Sequence, residues 1–289
     1  MSALPLENEL NPIERILSQC GEVAVLPQVV FKIMEMTGDD SSSAQALERA
    51  IVVDPGFSIK LLAQANSAYY SLPKKVTSIK EAIMFVGFKS VRQLAMAVGV
   101  FDMFVGKTDR DSLRRRGWWR NSLDAAICSR DLSPRFAGIS PDEAYTCGLL
   151  HLIGKTILDR FDPDEYEKVD MLISHGATDR QAEKAVFGCD HVEIAMASAK
   201  KWGFPELLIS GLNYFESEAA PGDDRRLGAL ISISDAISHL AVEGGAENRI
   251  DSDKLPHWAT TTLQISCEQS DQVIAQGMAA ISAAAKMGI

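Results

Sequence analysis

The chain has 289 residues, 46% of them hydrophobic and 24% charged, with a formal net charge of −10, which is ordinary for a soluble globular protein with a sizeable core. The acidic balance removes the phosphate attraction on which general nucleic-acid binding depends, and no apolar run approaches the roughly 18 residues of a membrane span. Glu7 and Glu9 stand where a secretory signal needs a basic start and an apolar core, so the composition predicts a cytoplasmic protein with no membrane or nucleic-acid partner.

Apolar residues recur at three and four positions along nearly the whole chain, which predicts an all-α fold. Residues 1–19 read as a helical lead-in, with Ile13, Ile16 and Leu17 on one face. Pro27 suits the first turn of the next helix, where a missing N–H costs nothing. Val29, Val30, Ile33, Met34 and Thr37 follow on one side until Gly38-Asp39-Asp40-Ser41. Ser42 with Gln45 has capping-box spacing ahead of Ala46, Leu47, Ala50 and Ile51. Asp54 can cap and Pro55 can open a further helix, with Ile59, Leu62, Ala63 and Asn66 on its face. A loop at 72–75 leads to Ser78 with Glu81, then Ala82, Ile83, Phe85 and Val86, and Gly87 ends that helix in a left-handed conformation. Val91, Leu94, Ala95 and Val98 drive the next helix. Helix, Gly87 turn and helix also fit a helix-turn-helix that presents Lys89, Arg92 and Gln93, but two basic residues in an acidic chain are a thin electrostatic footprint.

Residues 108–117 read as a polar joint, its arginines Arg114, Arg115 and Arg116 solvated while Trp118 and Trp119 anchor the next helix in the core. Longer helices follow. Leu123, Ala126 and Ile127 form a stripe, and Ser140 with Glu143 caps a helix that carries Ala144, Cys147, Leu149 and Leu150 into His151. Further helices run from Asp164 to His175, from Asp179 to Phe187 before Gly188, and onward from a cap pair, Asp190 and Glu193. After a loop at 219–224, a helix carries Asp235 and His239 on one face. Residues 243–289 form a surface loop and a final Ala-, Met- and Ile-rich helix. The five cysteines, widely spaced and without a CxxC pair, read as reduced, buried thiols.

The run Asp54-Pro55 with Leu61-Leu62-Ala63-Gln64-Ala65-Asn66-Ser67-Ala68-Tyr69-Tyr70, Val76-Thr77-Ser78-Ile79-Lys80-Glu81-Ala82-Ile83 and Val86-Gly87 resembles the N-terminal half of the HDOD family, the HD-related output domains. Gly148-Leu149-Leu150-His151-Leu152-Ile153-Gly154-Lys155 and Trp202-Gly203-Phe204-Pro205 resemble its second half. The resemblance implies an N-terminal helical bundle packed on a degenerate HD-type bundle. The domain would span residues 20–242, with a helical lobe at 20–107, the joint at 108–117 and an HD-like lobe at 118–242. It also implies a regulatory, non-catalytic role in bacterial signalling, in some members linked to cyclic-di-GMP.

An active HD site, by the same resemblance, has an early His, an adjacent His-Asp pair and a late Asp. Those positions fall on Asn121, His151 with Leu152, and Asp235. Two of four donors survive, whereas a catalytic ion needs at least three protein ligands and an open position. A neutral carboxamide competes poorly with water, and a leucine offers no electron pair. His151 is then expected as a neutral core imidazole bonded to Asp235 or Asn121, with no metal, cofactor or catalytic residue. His191 reads as a residue of a capped helix N-terminus. The expected partners are other signalling proteins, met through a helical surface for which Phe101, Met103 and Phe104 are candidates. Two rival readings are a residual metal-dependent phosphohydrolase and a nucleotide sensor that uses the relic pocket.

Overall fold

The structure, a computed structural model, describes residues 11–20, 28–38, 42–53, 55–66, 75–105, 112–214, 225–243 and 255–286. Pro27, Asp54, residues 1–10, 39–41, 67–74, the part of the joint at 108–111, and the loops at 219–224 and 244–254 lie outside them. Every described element is helical, as the three- and four-residue periodicity requires. Contacts divide the chain into two compact units, one of residues 1–25 with 103–281 and one of 26–102 with 282–289.

The smaller unit contains α2 (Gln28–Gly38), α3 (Ala44–Val52), α4 (Pro55–Ala65) and most of α5 (Ile79–Val105). Ile33, Leu47, Ile51, Phe57, Leu61, Val76, Ala82, Ile83, Val91 and Ala95 fill its core. Ser43, not Ser42, caps α3 by accepting from the Ala46 N–H, one residue beyond the expected box. Helix α4 turns Phe57, Leu61 and Ala65 inward, so Ile59, expected on the buried face, is 68% exposed. Phe85 is likewise exposed. Short apolar helices carry hydrophobic residues on more than one face, and periodicity alone does not choose between them. Asn66 accepts from the Val76 N–H at 2.8 Å and donates to its carbonyl at 2.9 Å, pinning the start of the next segment.

Gly87 divides α5. Its φ of 80° is positive as expected, but its ψ of 160° places it in an extended region reserved for glycine and not in the left-handed helical one. The stretch Ile79–Phe101 is long and apolar enough, at mean hydropathy 1.4, to count as a membrane span by length and composition. In the structure it supplies the core of the smaller unit through Ala82, Ile83, Val86, Val91 and Ala95. Lys89 is exposed, while Arg92 and Gln93 are half-buried, the Arg92 guanidinium leaning on Gly38.

The larger unit holds α1 (Pro12–Gln19), α6 (Ser112–Leu132), a 3₁₀ turn (Ser133–Arg135), α7 (Pro141–Leu150), α8 (Ile153–Phe161), α9 (Pro163–Ser174), α10 (Asp179–Phe187), α11 (His191–Lys201), α12 (Glu206–Gly211), α13 (Arg225–Glu243), α14 (His257–Thr262) and most of α15 (Cys267–Lys286). The lead-in α1 belongs to this unit. A reciprocal box of Asn11 and Glu14 caps it, and it buries Ile16, Leu17 and Cys20 against α8 and α11. Each such side chain contributes roughly 1.5–3 kcal/mol when removed from water. Helix α6 packs on α7 and α13. A Cβ on Gly148 would lie 2.6 Å from the Ala126 Cα, so only glycine permits that approach. The final helix joins the same body, because a Cβ on Gly277 would lie 2.6 Å from the Cys128 sulfur. Ser140 precedes α7 without a side-chain cap bond, contrary to expectation, whereas Asp190 and Glu193 form the expected reciprocal box. Four cysteines are buried as expected and Cys267 is exposed.

Of the three arginines of the joint, Arg116 is exposed as expected, but Arg114 and Arg115 do not solvate a linker. Residues 112–117 are the first turns of α6, and Arg115 is 1% exposed with its guanidinium 2.9 Å from the fully buried Asp159. Arg114 reaches the other Asp159 oxygen at 2.9 Å and also pairs with Asp170. It lies over the rings of Tyr166 and Trp118. Trp118 and Trp119 are only half-buried, packing edge-on to Tyr166 and Phe104. Met103 and Phe104, read as exposed partner-surface candidates, are 5% and 0% exposed, and Phe101 is half-buried.

Two substitutions test these constraints. Asp159→Ala removes the buried carboxylate that two guanidinium groups share and is expected to cost about 3–5 kcal/mol in urea unfolding. Gly87→Ala meets no atom within 4 Å, so its expected cost of about 1–3 kcal/mol is backbone strain alone. A neutral outcome for either, by the same measurement, contradicts the corresponding account.

Candidate functional site

The centre of the larger unit is a two-residue joint. Helix α7 ends at Leu150, His151 and Leu152 lie between helices, and α8 starts at Ile153. Gly154, in the first turn of α8, makes this placement possible. A Cβ there would sit 1.8 Å from the His191 carbonyl oxygen, so α8 and the start of α11 meet backbone to backbone. This brings two imidazoles, His151 and His191, both 0% exposed, into one region.

His151 Nδ1–H donates to the Gly148 carbonyl at 2.6 Å, since a carbonyl only accepts. Its Nε2 stands 3.1 Å from Asp235 Oδ1, on α13. The ring thus meets Asp235, one of the two partners expected from sequence. The Asn121 carboxamide, on α6, donates to the same Asp235 oxygen at 3.0 Å and lies 3.1 Å from His239 Nε2. Its oxygen accepts from the Ser238 hydroxyl. His239 is 62% exposed and 3.5 Å from Asp235. Burial raises the Asp235 carboxyl pKa, but the hydrogen bond and charge of His151, then His239 and Asn121, more than reverse this, and the group is held below the ordinary carboxylate range.

Three of the four positions read from the resemblance therefore touch one another: Asn121 and His151 both meet Asp235. Leu152 is 4% exposed and brings no donor. Among the described residues no group of three or more His, Cys, Asp or Glu side chains is arranged to hold an ion. The inherited donor set does not fit a catalytic metal, because His151 and Asp235 are two electron-pair donors where at least three are needed and the Asn121 amide oxygen already accepts from Ser238.

His191 does more than open a capped helix. Its Nδ1 lies 2.6 Å from Glu183 Oε2, its backbone N–H donates to that oxygen at 2.8 Å, and its Nε2 lies 3.0 Å from the Tyr214 hydroxyl. Tyr166 donates to the other Glu183 oxygen at 3.1 Å. Tyr214 also sets its ring edge-on to His151, with centroids 4.9 Å apart. Periodicity missed Glu183, Tyr166 and Tyr214 because each reads as a surface or stripe residue of its own segment. The single available signal was a glutamate inside the α10 stripe with Ala182 and Phe187. Lys155, one turn beyond the joint, pairs with Asp179 and lies over Trp118. An open cleft of about 580 Å³ adjoins, lined by Thr178, Asp179, Arg180, Gln181, Lys184 and Asp190. Its cations are committed: Arg180 and Lys184 to Asp190, and Lys184 also to Glu193.

The family model of the HDOD domain matches residues 23–217. The chain belongs to the HDOD family. That match ends before α13, so Asp235, Ser238 and His239 of this HDOD protein lie beyond it. A solved HDOD domain protein of unknown function from Geobacter sulfurreducens is similar in fold, with TM-score 0.76, 22% identity, and 96% of this chain and 98% of that one covered. A candidate phosphohydrolase from Shewanella amazonensis SB2B has TM-score 0.70 and 24% identity, with 92% and 97% covered. A candidate signal transduction protein from Marinobacter aquaeolei VT8 has TM-score 0.68 and 18% identity, with 96% and 66% covered. A Treponema pallidum (strain Nichols) protein described as uncharacterized is 24% identical over 213 residues. The alignment covers 69% of this chain and 38% of that relative, so the HDOD chain matches well under half the relative's length.

Asp235 makes the site's acid response predictable. The folded carboxyl is ionised to lower pH than in the unfolded chain, so its stabilisation is complete above the ordinary value of 3.8 and is lost as pH falls through the depressed folded value. Asp235→Asn is expected to flatten the fall in stability below about pH 4, read from urea midpoints across acid pH. An unchanged acid limb would show that the His151 contact does not hold the carboxylate ionised.

Proposed function

We propose that this HDOD protein is a non-catalytic signal-transduction module that acts by protein–protein contact in bacterial regulation, in the cytoplasm. The family membership supports the signalling role. The observation that carries the non-catalytic part is Leu152, an aliphatic side chain buried where an active HD site has its aspartate. The carboxamide of Asn121, spent on Asp235 and Ser238, supports it from the opposite side. With the cleft's polar groups bonded to one another, the surviving route of action is a helical surface offered to other signalling proteins. A link to cyclic-di-GMP signalling belongs to the same proposal.

A residual phosphohydrolase or nucleotide-sensing pocket is the second reading. The His151 and Asp235 pair, 3.1 Å apart, favours it as the surviving half of a donor set. Metal analysis of protein purified without chelator, followed by reloading with Mn, Fe, Zn or Mg, separates the two. The expected result is far less than one equivalent of metal and no turnover across a panel of nucleotides and cyclic dinucleotides. The double variant Asn121→His with Leu152→Asp is expected to retain metal, since it restores two donors. One equivalent of metal in the unaltered protein, with turnover lost in His151→Ala, sinks the proposal.

A further inference from the structure

Tyr214 follows α12 on a non-helical connection, yet it is 3% exposed and lies between the two buried imidazoles. Its ring meets His151 edge-on, at 85° between planes, and its centroid is 6.2 Å from that of His191. Its hydroxyl is on His191 Nε2. It therefore contacts His151 through its ring and His191 through its polar end, as a small bound phenol would.

The connection that delivers it is clamped. A Cβ on Gly211 would lie 2.6 Å from a Leu227 methyl and 2.9 Å from the Cys147 sulfur. A Cβ on Gly228 would lie 2.6 Å from the Asn213 carbonyl oxygen. Gly228 thus lets the Asn213 backbone approach α13, and Gly211 accommodates the Leu227 and Cys147 side chains. The tyrosine that follows has little freedom to swing away. Burial, first, and the carboxylates of Asp235, Glu183 and Asp179 also keep its phenol neutral far above the ordinary value, so it remains a donor or acceptor without a charge to hydrate.

We infer that Tyr214 is a built-in occupant of the relic site: its side chain fills the space between His151 and His191 and closes both imidazoles to small molecules. The inference deepens the non-catalytic reading and rests on it, because it supplies the steric reason that a nucleotide does not reach His151. It also names the class of compound the emptied space accepts, a single-ring aromatic with one hydroxyl.

Truncation tests it. Tyr214→Ala is expected to lower the melting midpoint by on the order of 10 °C, the usual consequence of emptying an aromatic site in a unit of this size. Millimolar phenol is then expected to raise the midpoint of Tyr214→Ala by roughly 3 °C, as occupancy of one native-state site does, and to leave the unaltered protein unmoved. Diethylpyrocarbonate, followed by mass spectrometry, is expected to modify His239 in both proteins. It is expected to modify His191, whose Nε2 the Tyr214 hydroxyl covers, only in Tyr214→Ala, where phenol suppresses the reaction. Equal phenol response in both proteins, or rapid modification of His191 in the unaltered chain, overturns the inference. Should Tyr214→Ala not fold, Tyr214→Phe decides. Retention of the midpoint within a few degrees, with His191 still protected, supports the ring as filler. Loss comparable to unfolding refutes it. The signalling proposal is read separately, from metal content and nucleotide turnover, so a filled site in an active enzyme and an open site in an inactive protein are distinguishable outcomes.

Discussion

The hydrogen-bonding demand of His151 organises the larger unit. An imidazole with no solvent access must find partners inside the protein, or the cost of burying it is unmet. Its Nδ1 is satisfied within its own helix end, by Gly148, and its Nε2 by Asp235 from α13. Because one partner is local and the other is 84 residues away, the ring fixes how the α7 and α8 joint faces α13. Asn121 then closes the arrangement from α6. Three helices are registered by one side chain and a carboxylate.

Around that contact the polar groups form a continuous series. Tyr166, Glu183, His191 and Tyr214 are linked by hydrogen bonds, and the Tyr214 ring meets His151. Few of these groups are left facing water, and each accepts or donates within the protein. A network of that kind favours one packing over alternatives, because a half-satisfied version is costly. The proposed non-catalytic role fits that network: Leu152 contributes apolar surface beside His151, and the polar side chains named here are bonded to one another.

A second buried system works by charge. Asp159 takes two guanidinium groups, Arg114 and Arg115, and anchors the first turns of α6 to α8. In the sequence these arginines stand in a polar run beside two tryptophans, and a run of that composition is ordinarily solvated. Nothing within the run distinguishes a solvated arginine from one whose partner is a lone aspartate 44 residues later. The same limit applies to Ile59 and Met103. Each sits in a helix with apolar residues on several sides, and the face that is buried depends on which neighbouring helix arrives.

The all-helical class, most helix positions, the cap at Asp190, the positive φ at Gly87 and the kinship to the HDOD family are all legible in the order of residues. These follow from local spacing, from residues with restricted backbone choices, and from motif runs that survive without their context. The sequence also located Asn121, His151, Leu152 and Asp235 along the chain. Folding in three dimensions was needed to reveal that Asn121 and His151 both meet Asp235, that Arg115 is a core residue, and that His191 and Tyr214 close on His151. Those contacts join segments tens of residues apart, and their energy depends on burial and on exact partner geometry. Neither quantity is written in the periodicity of any one helix, so the pattern of the chain carries the elements while packing assigns their partners.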